Sequence, residues 1–130
     1  MKKLITVLLL ATLLISHAAF ANYQLIYTAK ENTKFYVDLS SRIFTGSFIK
    51  VWEYQNYGAI TDTGSMSARG LSEYDCDKKE WRTLSVTSYS KPNLGGVVVA
   101  QLKKDKADWQ KAVNGQANMF LLNKVCKVNT

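Results

Sequence analysis

Polar and apolar residues alternate along most of the chain beyond its N-terminal segment, with the period of β-strands that bury one face. The clearest run is GSFIKVWEYQNYG, residues 46–58, in which Phe48, Trp52 and Tyr54 share one face. Because alternation already predicts one buried face, we expect these aromatic side chains to lie in the core rather than to form a platform for a ligand. Lys50 on the same face then either reaches the rim or lines a groove that faces a partner.

Five further stretches have the composition of strands, and they are residues 23–29, 34–39, 66–76, 81–90 and 97–102. Between them we expect a short turn, or one turn of 3₁₀ helix, at residues 38–44. Residues 58–65 predict a long hairpin loop or a mobile flap, and Gly70 predicts a bulge. The alternation in residues 81–90 puts Arg82 and Val86 on the same face.

The spacing of apolar residues changes near the C-terminus from that of a strand to that of a helix. Residues 103–113 predict a loop or a short helix around Trp109, and residues 114–126 place Phe120, Leu121 and Val125 at helical spacing. A helix with an apolar stripe must bury it, and the sheet is the only large surface available. The chain therefore predicts an α+β fold, an antiparallel meander of about six strands with a C-terminal helix packed on it.

The N-terminal segment has the organisation of a secretory signal peptide. Lys2 and Lys3 precede an apolar run, residues 4–15, and small residues follow up to Ala21. The apolar run is too short to span a bilayer as a helix, which needs about 20 residues. We expect cleavage after Ala21, with a less favoured site after Ala19. The predicted mature chain, residues 22–130, is a single domain without a cysteine at its start for a lipid anchor.

Cleavage changes the charge and the chemistry of the chain. The full sequence has 17 Lys and Arg against 10 Asp and Glu; without Lys2 and Lys3 the net charge falls from +7 to +5. The only histidine, His17, leaves with the signal. A single proline and 12% aromatic residues argue against disorder.

Cys76 and Cys126 are the only cysteines, and they are 50 residues apart. In an exported protein an even number of cysteines indicates disulfides. A nucleophilic thiolate would need a base, yet no histidine remains after cleavage, and Asp75 and Asp77 flank Cys76 with opposing negative charge. A zinc site would need four ligands. We therefore expect a Cys76–Cys126 disulfide that joins the C-terminal helix to a strand.

The ordered motifs VDLSSRIF, VWEYQNY, SEYDCDKKEWRTLSVTSYS, ADWQKAV and a final VC resemble the surface-adhesin protein E family of Gram-negative bacteria. The resemblance runs from about Tyr23 to Cys126, and its most specific part is Tyr74-Asp75-Cys76 followed one strand later by Tyr89. It implies a six-stranded antiparallel sheet with a C-terminal helix tied by a disulfide. It also implies an adhesin that binds host matrix or plasma proteins.

This sequence departs from the family in one respect, because adhesin members can be lipid-anchored and the attachment cysteine is missing here. The departure puts surface display in doubt. We expect a periplasmic or secreted protein, which is not lipid-anchored.

The strongest candidate binding surface is the stretch KKDKADWQK, residues 103–111. Its cationic side chains surround one aromatic residue, and the set is Lys103, Lys104, Lys106, Trp109 and Lys111. Such a cluster could bind acidic protein segments, sulfated glycans or lipid head groups. The alternative, which we favour for the tryptophan, is that it packs inward on the sheet while the lysines are simply solvated.

The sequence gives no support for catalysis. The acids that could form a carboxylate pair are scattered over turns and strand ends, and they are Asp38, Glu73, Asp75, Asp77 and Glu80. Neither a phosphate-binding loop, nor a serine elbow, nor a metal motif is present.

We therefore predict a non-enzymatic, exported binding module without cofactor, metal or nucleic-acid partner. A protein or acidic glycan is the expected partner, and edge strands offer a route to a homodimer. The alternative is a periplasmic structural or envelope accessory protein with no host ligand.

Overall fold

The structure of the chain is a computed structural model that describes residues 22–127. The predicted signal segment, with its cleavage site, lies outside the described residues. Within the described residues, seven strands and one helix follow one another. They are β1 (Tyr23–Thr28), β2 (Lys34–Thr45), β3 (Phe48–Asn56), β4 (Ser67–Asp75), β5 (Glu80–Lys91), β6 (Gly95–Lys103), β7 (Gln110–Lys111) and α1 (Ala117–Cys126).

Strands β1 to β6 form one antiparallel sheet in the order of the sequence, which confirms the predicted meander. β6 pairs with β5 only from Ser85 to Lys91, and the two-residue strand β7 pairs with the beginning of β5. Residues 103–113 were expected to form a loop or a short helix. The prediction of a helix is wrong, because Gln110 and Lys111 extend the sheet along an edge of β5 that β6 leaves open.

The prediction of a turn or 3₁₀ helix at residues 38–44 is also wrong, because β2 continues through this segment. The register with β3 shifts between Asp38 and Ile43, so the segment is a bulge within a strand. The Asp38 carboxylate accepts a hydrogen bond from the Ser40 backbone N–H at 2.9 Å. Ser41 Oγ donates to the Asp38 carbonyl at 2.7 Å and accepts from the Trp52 N–H at 2.9 Å. The polar residues that indicated a turn therefore stabilise the bulge.

The helix packs on one face of the sheet and creates the core there. The buried apolar residues of this core are Val37, Ile49, Val51, Tyr74, Leu121, Leu122 and Val125. Burying an aliphatic side chain of this size contributes about 1.5–3 kcal/mol. We call this the helix face, and the opposite side of the sheet the open face.

The expectation that Phe48 and Trp52 lie in the core is wrong, because α1 covers the opposite side of β3, where Ile49 and Val51 are buried. Tyr54 is buried as expected, but on the open face rather than beneath the helix. Phe48 remains 38% exposed, and Trp52 is half-buried. Alternation shows that a strand has two different faces, but it does not show which one receives the helix.

A bulge in β5 changes the face of the sheet to which its side chains point on either side of the bulge. Leu71 pairs with Ser85 and Ser72 pairs with Thr83, so that Leu84 is an extra residue. Arg82 consequently lies on the open face, opposite Glu73, while Val86 lies on the helix face. The prediction that Arg82 and Val86 share a face is wrong for this reason. The bulge expected at Gly70 lies instead in the partner strand.

The helix is tied to the sheet at its C-terminal end. The Cys76–Cys126 disulfide is present, with a Cα–Cα distance of 5.8 Å, and confirms the predicted pairing. Arg42 Nη1 also donates to the carbonyl oxygens of Val125 and Lys127, both at 3.1 Å. These bonds satisfy carbonyl groups that have no partner within the helix.

The loop at residues 58–65 is closed by its own hydrogen bonds. The Thr61 N–H donates to the Ser65 carbonyl at 2.9 Å, and the Ser65 N–H donates to Thr61 Oγ1 at 3.0 Å. Of the two expectations for this segment, the structure shows the hairpin loop. Within residues 22–127 no helix has the length and hydropathy needed to cross a membrane.

The double variant Cys76→Ala/Cys126→Ala is expected to lose about 4 kcal/mol of unfolding free energy, because the bond closes a loop of 50 residues. Urea denaturation of the variant, compared with oxidised wild-type protein, measures the loss, and reduced wild-type protein should be destabilised to a similar extent. A loss below about 1 kcal/mol would show that packing alone holds the helix in place.

Candidate functional site

The lysine-rich connection between β6 and β7 runs along the open edge of β5. The Lys104 N–H donates to the Leu84 carbonyl at 2.8 Å, and Arg82 Nη1 donates to the Ala107 carbonyl at 3.2 Å. These two hydrogen bonds attach the connection to β5 in the gap that β6 and β7 leave along its edge. The connection is therefore a loop that hydrogen bonds hold along the edge of β5.

Trp109 fixes this connection against the open face. Its ring stacks on Phe48 with centroids 5.5 Å apart, and the Arg82 guanidinium carbon lies 4.2 Å from the ring centroid. Arg82 in turn forms an ion pair with the buried Glu73 carboxylate at 2.6 Å. The interpretation that Trp109 packs on the sheet is confirmed, and the cation–π contact and the ion pair hold it there.

The lysines of the candidate surface are all exposed, but the structure separates them into two sets. Lys103 and Lys104 line a groove of about 230 Å³ on the open face together with Lys50. The remaining lining residues are Leu71, Leu84, Ser85 and Asp105, and we call this site the lysine groove. Lys106 lies further along the connection and Lys111 lies in β7, and neither lines the groove. Lys50 thus lines a groove, which was one of the two expectations for this residue.

The middle of the open face is closed by aromatic rings and one arginine. Tyr36 and Tyr54 stack with ring centroids 4.2 Å apart, and Tyr23 meets Tyr54 edge-on at 4.8 Å. The Arg69 guanidinium carbon lies 3.8 Å from the centroid of the Trp52 ring, and Arg69 Nε donates to the Tyr23 hydroxyl at 3.1 Å. Tyr54 is 6% exposed as a result, and burial raises its pKa to about 12.

The helix face carries one charged side chain among its apolar residues. The Glu53 carboxylate accepts a short hydrogen bond from the Tyr74 hydroxyl and another from Ser72 Oγ at 2.9 Å. Within residues 22–127 no Lys or Arg forms an ion pair with Glu53. Burial raises the pKa of Glu53 from 4.5 to about 7, and the two hydrogen bonds oppose that rise only in part.

Sequence reasoning missed Glu53, although a signal was present. The residue occupies an alternating position with Ile49 and Val51 on the clearest strand. An acid on an apolar strand face indicates a buried polar group, but that face was expected to be the solvated one.

The other carboxylates have local structural roles. Asp75 Oδ1 accepts hydrogen bonds from the backbone N–H groups of Asp77 at 3.1 Å and Lys78 at 3.0 Å. Asp38 does the same within the β2 bulge, and Glu73 is bound to Arg82. Among residues 22–127 no three His, Cys, Asp or Glu side chains are grouped so that they could hold a metal ion.

A family model described as surface-adhesin protein E matches residues 23–127, nearly the whole described chain. The chain belongs to the surface-adhesin protein E family. The motif that carried the resemblance has a structural role in this member of the protein E family. Its Tyr74 bonds Glu53 under the helix, and its Cys76 forms the disulfide.

The fold is similar to that of crystal structures of Haemophilus influenzae protein E. Crystal form II is 14% identical, with 82% of this chain and 87% of that chain covered and a TM-score of 0.61. Protein E from non-typeable Haemophilus influenzae is 15% identical, with 82% and 76% covered and a TM-score of 0.55. At such low identity the likeness shows the fold alone. No curated protein matches the chain.

The variant Glu53→Gln is expected to change the pH dependence of stability. The folded protein keeps the Glu53 proton at pH values where the unfolded chain has released it, so this residue lowers the unfolding free energy as pH rises from 4.5 to about 7. The amide does not ionise. The variant should therefore exceed wild type by about 3 kcal/mol at about pH 8 and match it at about pH 4.

Urea denaturation at both pH values measures this difference. Asp62→Asn, which removes an exposed acid from the 58–65 loop, is the control and should show no such pH-dependent gain. An equal effect of Glu53→Gln at both pH values would contradict the assigned environment of Glu53.

Proposed function

We propose that this protein is an exported, non-enzymatic binding module of the adhesin type, which recognises anionic groups of a protein or a glycan at the lysine groove. The observation that carries the proposal is the meeting of Lys50, from the middle of the sheet, with Lys103 and Lys104 around one groove. Membership of a surface-adhesin family supports the same class of function.

The charge of the groove is available to a ligand. Lys50 lies opposite Glu73 in the register of β3 and β4, but the Glu73 carboxylate is bound by Arg82 at 2.6 Å. Within residues 22–127, neither Lys50 nor the lysines of the connection form an ion pair. Three cations against the single acid Asp105 leave a positive potential that attracts anions.

The walls of the groove supply contacts that a purely solvated run of charges lacks. Leu71 and Leu84 line it beside the lysines, and the lysine side chains present methylene groups as well as charge. Trp109 and Arg82 hold the connection that carries Lys103 and Lys104, which lowers the entropic cost of ordering it on binding. Specific binding is therefore favoured over diffuse attraction.

Lys106 and Lys111 extend the proposed surface. Lys106 is exposed on the connection and Lys111 is exposed on β7, within the reach of a partner that covers more than the groove. Their contribution is expected to be electrostatic and sensitive to salt. Trp109 acts in this proposal by positioning the connection.

We further propose that the chain is exported by cleavage after Ala21 and acts in the periplasm or after release, as one domain of residues 22–130. The alternative role, a periplasmic accessory protein without a host ligand, predicts no saturable binding to matrix components. The binding measurements described below therefore discriminate between the two roles.

The outer edge of β6 supports a second contact, between two copies of the chain. Among the described residues no strand pairs with β6 on that side, and β6 exposes Val97, Val98 and Leu102, which are 70%, 51% and 54% exposed. Such an edge is suited to strand addition.

We expect analytical ultracentrifugation to show a dimer whose population rises with protein concentration. The variant Val98→Lys should remove this dimer, because it places a charge at the edge strand. A wild-type protein that is monomeric at all concentrations would contradict the contact.

Charge reversal should locate the binding surface. The triple variant Lys50→Glu/Lys103→Glu/Lys104→Glu is expected to weaken binding of the mature, oxidised protein to immobilised heparin, laminin or vitronectin by at least about tenfold at physiological salt. The physical reason is that the variant replaces attraction at the groove by repulsion. Titrations at low and at physiological salt measure the change.

The control is Lys30→Glu/Lys91→Glu/Lys124→Glu, which changes the net charge equally at exposed positions outside the groove. It should bind like wild type at physiological salt. Equal losses in the two triple variants, or binding that disappears at physiological salt, would show only general attraction of a basic protein to anions and would reject the adhesin proposal.

A further inference from the structure

A second site lies on the helix face, on the other side of the sheet from the lysine groove. It is a cavity of about 170 Å³ between the sheet and the side of α1. The lining residues that matter here are Glu53, Gly70, Trp81, Val86, Asn118 and Leu121. We call it the Glu53 cavity.

Gly70 keeps this space open. It is the register partner of both Glu53 and Val86, so a side chain at this position would project to the helix face. An added Cβ would lie 3.7 Å from Val86 Cγ2 and 3.8 Å from Thr83 Cγ2, and only 2.9 Å from the Ser85 carbonyl oxygen. A glycine within a strand is typical of a place where another group approaches the backbone.

The Glu53 carboxylate in this cavity has few hydrogen-bond donors and no cation beside it within residues 22–127. A carboxylate has room for about four hydrogen bonds, and Glu53 accepts only those from Tyr74 and Ser72. Neither partner is a cation, and no ion pair of Glu53 exists within residues 22–127. A buried carboxylate without a counter-charge is unfavourable, and a cation placed beside it removes the penalty.

We propose that the Glu53 cavity binds a small protonated amine, whose ammonium group donates hydrogen bonds to the Glu53 carboxylate while its carbon chain packs against Trp81 and Leu121. The aromatic wall suits a cation as well as a carbon chain. A cavity of about 150 Å³ holds a benzene molecule, so a ligand of about six non-hydrogen atoms fits this volume. The site selects cations, whereas the lysine groove would select anions.

The surroundings of Glu53 determine how binding depends on pH. The titratable tyrosines nearby are Tyr74, which bonds Glu53, and Tyr54 and Tyr57, which line the cavity, and burial raises the pKa of all three. Arg69 also lines the cavity, but its guanidinium lies over Trp52 on the open face. The side chains from β5 and α1 that line the cavity are uncharged. Ionisation of Glu53 therefore governs the affinity for an amine, which should increase as pH rises through about 7.

The indole N–H of Trp81 provides a local reporter. It is buried and has no acceptor within residues 22–127, so a hydroxyl group on the ligand can accept a hydrogen bond from it. We choose 4-amino-1-butanol as the probe and 1-pentanol as its matched control, because the latter replaces the ammonium by a methyl group and keeps the hydroxyl. The comparison isolates the charge.

The experiment is an NMR titration of the mature, oxidised protein that follows the Trp81 indole signal, assigned with the variant Trp81→Phe. Protonated 4-amino-1-butanol should give a saturable shift at about pH 8 with a Kd of about 1–10 mM, the range expected for a ligand of this size. Affinity should fall at least about tenfold at about pH 5.5, and 1-pentanol should bind at least about tenfold more weakly at about pH 8.

Two variants complete the test. Glu53→Gln, which keeps the shape of the side chain, should lose the preference for the amine over 1-pentanol. Asn118→Phe leaves the carboxylate in place and should abolish binding by filling the cavity. The lysine-groove triple variant should bind the amine like wild type, so failure of one site does not decide the other. Equal binding of the two probes, or no shift below about 50 mM amine at about pH 8, would overturn the proposal.

Discussion

The disulfide between Cys76 and Cys126 holds a helix of ten residues on the seven-stranded sheet, and the rest of the structure depends on that constraint. A helix of this length is marginal by itself and needs tertiary packing. Leu121, Leu122 and Val125 supply the packing, and the bond fixes the end at which they lie. The core is consequently confined to one face.

The open face has no second layer of helices or strands within the described chain, and side chains of the sheet itself cover it. Arginine guanidinium groups lie over the rings of Trp52 and Trp109, where a second helix or sheet would lie in a sandwich. Buried aromatic area is thereby combined with positive charge at the surface. This arrangement allows an open sheet face to present cations beside aromatic rings.

The two faces consequently have opposite chemistry. The open face carries a groove with three lysines, and the helix face carries one buried acid, Glu53, without a counter-charge. The sheet separates them, so binding at one face need not affect the other. Bulges set which side chains belong to which face, since the extra residue Leu84 places Arg82 beside Glu73 and Val86 at the Glu53 cavity.

The sequence by itself determined most of the strands, the C-terminal helix and the pairing of its two cysteines, and it favoured the packing of Trp109 on the sheet, because the hydrophobic period and the number of cysteines can be read from the chain alone. It did not determine which face of β3 receives the helix, since alternation is symmetric between the two faces. Nor could it show that Lys50 meets Lys103, or that Glu53 is buried without a cation. Those relations join residues distant in sequence, and only strand register, a bulge and the position of the helix decide them.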